Sequence, residues 1–124
     1  MENRMERRKY PRIAKNLPIK AFGESFDFFT ETMNISSGGV LCYLEKPIPV
    51  ATRLRLALIL PSADSTKEFK IDCEGIVIRV QENLNVTGKE RFYIAIMFSK
   101  ISPADKEKIA QFVSAHLNSP GETE

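Results

Sequence analysis

The chain has 124 residues, 43% hydrophobic and 27% charged, the balance of one ordinary globular domain with one modest core. Its apolar runs are far shorter than the roughly 20 residues that a membrane-spanning helix needs. The charged N-terminus also lacks the apolar stretch of a secretory signal, so a cytoplasmic protein without membrane insertion is expected. The formal charge of +2 is unevenly spread: residues 1–20 hold seven Lys/Arg against two Glu, a local +5, and the remainder carries −3.

Residues 1–17 show little periodic hydrophobicity, and Pro11 and Pro18 exclude a continuous helix, so they read as an extended basic arm. Within it, Arg8 and Arg12 fall on the same side of an extended chain, about 13 Å apart at ~3.3 Å per residue. Short β-like segments follow at residues 19–22, 28–33, 40–44, 53–60, 68–80 and 91–98, which suggests an all-β barrel or sandwich. Leu54, Leu56, Leu58 and Leu60 would face one side and Arg53 and Arg55 the other, and Phe92, Ile94, Ile96 and Phe98 repeat the alternation. In the longest segment the apolar phase runs Phe69, Ile71, Cys73 and then shifts to Ile76, Ile78, Val80. A bulge or sharp bend at Gly75 is therefore expected. Residues 61–66 and 83–88 have the composition of solvent loops. Ser102, Pro103 and Asp105 then supply an N-cap, a first-turn proline and an acidic third position. The helix that starts there carries Ile109, Phe112, Val113 and Leu117 on one face, and residues 118–124 read as a disordered tail.

No catalytic constellation can be assembled, and the protein is not expected to be an enzyme. The single histidine, His116, sits near the helix end, where the dipole favours it, without a nucleophile beside it. Cys42 and Cys73 lie in apolar strands with neither CxxC spacing nor enough partners for a zinc site, so they read as buried thiols. No phosphate-binding GxxxxGK[ST] loop or GxGxxG fingerprint occurs, and no cofactor or metal is expected.

Two clusters remain. Arginine forks at Arg8 and Arg12 can grip phosphate or the O6/N7 edge of guanine in bidentate fashion, although a basic run is more often a solvated face. The turn Asn34-Ile35-Ser36-Ser37-Gly38-Gly39 can direct backbone N–H groups into an anion-binding concavity, although the same residues also make ordinary hairpins. Read together, they make one site for an anionic ligand.

RxxxR at Arg8 and Arg12, followed by NxSxxG at Asn34, Ser36 and Gly39, resembles the PilZ domain family, bacterial receptors for cyclic di-GMP. The resemblance covers about residues 6–115 and implies a six-stranded antiparallel β-barrel, residues 18–117, with a C-terminal helix. It implies that Arg8 and Arg12 engage guanine edges and phosphates, while Asn34, Ser36 and Gly39 approach the ligand from the barrel surface. In the family an arginine just before RxxxR goes with binding an intercalated cyclic di-GMP dimer, which makes Arg7 a further ligand residue and two ligands per domain the expectation. Where some members place a tryptophan that packs on guanine, this chain offers Arg79, either as a stacking guanidinium or as a strand-surface charge. Asn34 replaces the commoner aspartate, removing a carboxylate that would repel phosphate. The implied function is a stand-alone receptor that orders its arm on binding cyclic di-GMP and presents a changed surface to an effector protein not yet identified. The alternatives are a PilZ-like adaptor that binds no ligand, and a small barrel that takes single-stranded nucleic acid on its basic arm with Tyr10 and Tyr93. Nucleic acid is not the expected partner.

Overall fold

The computed structural model describes residues 10–62 and 67–117. Its strands are β1 (Arg12–Ala14), β2 (Pro18–Phe22), β3 (Asp27–Ser36), β4 (Gly39–Leu44), β5 (Arg53–Pro61), β6 (Glu68–Glu82) and β7 (Phe92–Lys100). A 3-10 turn at Gly88–Glu90 precedes β7, and helix α1 (Pro103–Leu117) follows it. All pairings are antiparallel, in the order β1-β3-β2-β5-β6-β7-β4, and β4 also pairs with β3 and closes the ring. β1 and β2 lie along the same edge of β3, β1 against residues 34–36 and β2 against residues 27–31. They act as one interrupted strand, so the barrel is six-stranded and antiparallel with one C-terminal helix, the fold class expected from the sequence.

The interruption is held by Thr32, which is fully buried. Its hydroxyl donates to the carbonyl of Lys15 at 2.6 Å and accepts the N–H of Leu17 at 3.0 Å, while its own N–H donates to the Leu17 carbonyl at 2.9 Å. Asn16 Nδ2 adds a bond to the Thr32 carbonyl at 2.8 Å. The backbone groups freed where the strand breaks thus find partners inside the barrel, where an unpaired one would cost about 1–3 kcal/mol.

Alternation builds the core. Leu54, Leu56, Leu58 and Leu60 of β5 are buried while Arg53 and Arg55 are exposed, and Ile94, Ile96 and Phe98 of β7 follow suit. Each fully buried leucine or isoleucine contributes roughly 1.5–3 kcal/mol of transfer free energy. Helix α1 begins as its sequence predicts: Ser102 Oγ accepts the Asp105 N–H at 3.1 Å and the Ser102 carbonyl accepts the Lys106 N–H at 2.9 Å. Ile109, Phe112 and Val113 bury against the barrel at β1 and β3. Leu117, expected on the same face, is 47% exposed because it stands in the last turn, past the barrel.

In β6 the apolar phase resets later than the sequence suggests. The pairing with β7 does slip at Glu74/Gly75, but the inward phase continues through Gly75 to Val77, which is fully buried. A second slip between Val77 and Arg79 resets the phase, leaving Ile78 53% exposed and Ile76 outside the core. Gly75 holds the first phase because it is buried where Ile96 and Leu56 fill the space of a side chain.

Candidate ligand-binding face

Strand register aligns the site. One row across the outer barrel surface reads Arg12, Ser36, Gly39, Met97, Ile76, and the next reads Ala14, Asn34, Leu41, Ala95, Arg79. The residues between these rows, Ile35, Val40, Ile96 and Val77, are buried, so the rows face outward. Gly39, Ala14 and Ala95 keep the floor low, and Arg12 and Arg79 stand at opposite ends. Three interstrand steps separate Asn34 from Arg79, about 14 Å along the surface at ~4.8 Å per step.

Two of these side chains face outward only because their strands are bulged. In β3, Thr32 and Ile35 both point inward although three positions apart, and the pairing with β4 slips between Thr32 and Asn34. Strict alternation from Thr32 would have buried Asn34; the extra residue turns it to the surface. The slip between Val77 and Arg79 in β6 does the same for Arg79, which shares Asn34's row. Among the described residues neither the Asn34 amide nor the Arg79 guanidinium has a hydrogen-bond or ion-pair partner, so both are available to a ligand.

The turn between β3 and β4 is shaped from within. Ser36 Oγ accepts the Gly38 N–H at 3.1 Å, and the Gly38 carbonyl accepts the Phe98 N–H at 2.9 Å, tying the turn to β7. Ser37 is buried beneath it. At Gly39 a Cβ would run into the carbonyl of Ile96 and come within 3.1 Å of Met97 Cα. The glycine is therefore required by the approach of β4 to β7 before any ligand is considered. Beneath the face, Cys42 is fully buried, its thiol points to the Ile94 carbonyl at 3.8 Å, and burial pushes its pKa up to about 12. It is a neutral core group, as its apolar surroundings in the sequence suggest.

Of the residues expected from sequence, the structure brings Arg12, Asn34, Ser36, Gly39 and Arg79 onto this one face, whereas Arg7 and Arg8 lie outside the described residues. Sequence reading missed Met97, 44% exposed beside Gly39, and Ile78, in the bulge next to Arg79. Alternation in β7 does place Met97 opposite Ile96; that the outward side faces the turn is a matter of register. An acceptor-rich planar ligand suits the arrangement. Guanidinium forks at both ends can take phosphate or a purine edge, a free amide sits between, and exposed apolar surface offers a base a flat contact. No group of acidic, cysteine or histidine side chains that could hold a metal occurs among the described residues, and no helix among them is long and apolar enough to cross a membrane.

A family model for the PilZ domain matches residues 6–115. No curated protein sequence matches the chain. Among solved structures, the Bacillus subtilis inhibitor of motility (MotI/DgrA) superposes with a TM-score of 0.78 at 24% identity over 97% of this chain and 58% of that one. The K. pneumonia MrkH complex with c-di-GMP gives 0.72 at 13% identity over 94% of this chain and 55% of that one. The PilZ domain of Escherichia coli YcgR with c-di-GMP gives 0.62 at 18% identity over 88% and 90%. The chain thus spans little more than half the length of the first two, and at these identities the likeness is one of fold.

Proposed function

The chain belongs to the PilZ domain family, and from that premise we propose that it is a receptor for cyclic di-GMP rather than an enzyme. One observation carries the reading: register and two bulges gather Arg12, Asn34, Ser36, Gly39 and Arg79 on one outer face with a low floor. Guanine edges and phosphates present acceptors that guanidinium donors on this face can meet. Two solved structures of the same fold are c-di-GMP complexes, which supports the same ligand.

The finer reading is that Arg8 joins Arg12 over the ligand, and Arg7 admits a second cyclic di-GMP intercalated with the first. Each added guanidinium can neutralise phosphate and stack on a base. Binding then orders the arginine segment ahead of Tyr10, offsetting the entropy of fixing it, and the altered surface is what an effector protein recognises. Calorimetric titration with cyclic di-GMP tests this directly. A ratio near two ligands per chain is expected; a ratio near one removes the intercalated dimer and keeps the receptor, and no heat of binding with correctly folded protein sinks the receptor reading.

A further inference from the structure

Tyr10 lies midway between Arg8 and Arg12 in sequence, and its ring meets both the β3–β4 turn and helix α1. A Cβ at Gly38 would fall 2.9 Å from Tyr10 Cε2 and 3.4 Å from Cγ, and closer still to Cδ2, so only glycine lets the ring settle on the turn. At the hydroxyl end Lys106 of α1 donates to the Tyr10 hydroxyl at 2.9 Å, with its Nζ 4.5 Å from the ring centroid. Lys106 makes no ion pair among the described residues. It also sits in the first turn of α1, where the helix dipole favours anions, so its position answers to the tyrosine rather than to its own helix. The Gly38 carbonyl in turn holds the N–H of Phe98 at 2.9 Å. Arm, turn, barrel and helix therefore meet at one aromatic ring.

We propose that Tyr10, Gly38 and Lys106 form a clasp that holds the entry to β1 beside the ligand-binding face and couples ligand binding there to the start of α1. The proposal rests on the reading of that face as a cyclic di-GMP site. Arg12 stands two residues from Tyr10, at most ~7 Å of extended chain, and Ser36, its partner across the sheet, stands two residues from Gly38, so the clasp ties both to α1. An unclasped Tyr10 would have to be fixed when ligand binds; a clasped one is fixed already. Linkage makes the effect reciprocal: if the clasp tightens ligand binding by some factor, bound ligand tightens the clasp by the same factor. The clasp residues are positioning residues, since they act through Arg12 and the turn. Gly38, which the NxSxxG spacing leaves unused, acquires a role as the seat of the ring.

The test is a double-mutant cycle in cyclic di-GMP affinity, using Tyr10→Leu, which keeps apolar contact with the turn, and Lys106→Met, which keeps the aliphatic stem. Lys106→Met is expected to weaken binding about two- to fivefold, on the scale of one exposed cation–π contact. Its effect should largely vanish in the Tyr10→Leu background. Cyclic di-GMP should slow amide exchange at residues 106–110 in the unaltered protein and not in Lys106→Met. Wild-type affinity in Lys106→Met, or two effects that multiply independently, would overturn the clasp. If the unaltered protein binds no cyclic di-GMP, the receptor reading fails by itself. Exchange without ligand then decides the clasp: faster exchange of the β1 amides in Lys106→Met supports it, and unchanged exchange there overturns it.

Discussion

Glycine and arginine at this site answer to different demands, and substitution separates them. Gly39 is fixed by the backbone of β7, since a methyl group there meets the Ile96 carbonyl. Gly39→Ala is therefore expected to lower stability by about 1–3 kcal/mol, the usual cost of overpacking, whether or not ligand is present. Arg79 is exposed and unpartnered among the described residues, so Arg79→Ala should change stability by no more than ~0.5 kcal/mol. Its loss should instead weaken cyclic di-GMP binding. Denaturant titration and calorimetry of the two variants check this: equal affinity in Arg79→Ala would leave that arginine a plain surface charge. The NxSxxG letters were legible in the sequence, but their causes were not. Ser36 caps its own turn through a local bond, whereas Gly39 admits a neighbouring strand, and that second fact requires knowing which strand lies alongside.

Elements here are defined by where they break. β1 and β2 share one edge of β3 because Thr32 satisfies the backbone between them. Thr32→Val keeps the shape but leaves the Leu17 N–H and the Lys15 carbonyl without that hydroxyl, so a loss of about 1–3 kcal/mol is expected. Thr87→Val, at an exposed position, serves as the control and should stay within ~0.5 kcal/mol. Equal midpoints for the two variants in urea would show that the hydroxyl does not hold the interruption. The sequence pointed to a bulge in the long strand because the apolar phase visibly shifts there. It placed the shift at Gly75, since isoleucines at 76 and 78 look like core; the structure resets the phase at residues 78 and 79 and spends Ile78 on the surface. The β3 bulge left no such trace, because Thr32 is polar and its inward position does not register as part of an apolar pattern.

At the scale of the whole molecule, both thiols report on the fold. Burial is the first cause that pushes Cys42 and Cys73 up to about 12 from an ordinary 9.0, with Asp105, Asp72 and Glu74 adding to it at Cys73. A thiol whose folded pKa lies above its unfolded value stabilises the fold fully below about pH 9. Between pH 9 and 12 the unfolded chain has lost protons that the folded chain keeps, so stability falls as pH rises. Denaturant midpoints should therefore decline across that window, and Cys42→Val should show a shallower decline than the unaltered protein; parallel declines would mean that the Cys42 thiol does not contribute.

Period, punctuation and charge are local properties, and they determined what is local: alternating strands, the capped helix from Ser102, a basic N-terminal sequence and a glycine turn. Those features, with the two short motifs, were enough to point to the fold class and the family. Only the closed barrel decided that Asn34 and Arg79 share a row, that Arg12 lies beside Ser36, and that Tyr10 rests between Gly38 and Lys106. These contacts join residues far apart in the chain, and they follow from register, bulges and ring closure, which depend on the mutual fit of all six strands rather than on any segment alone.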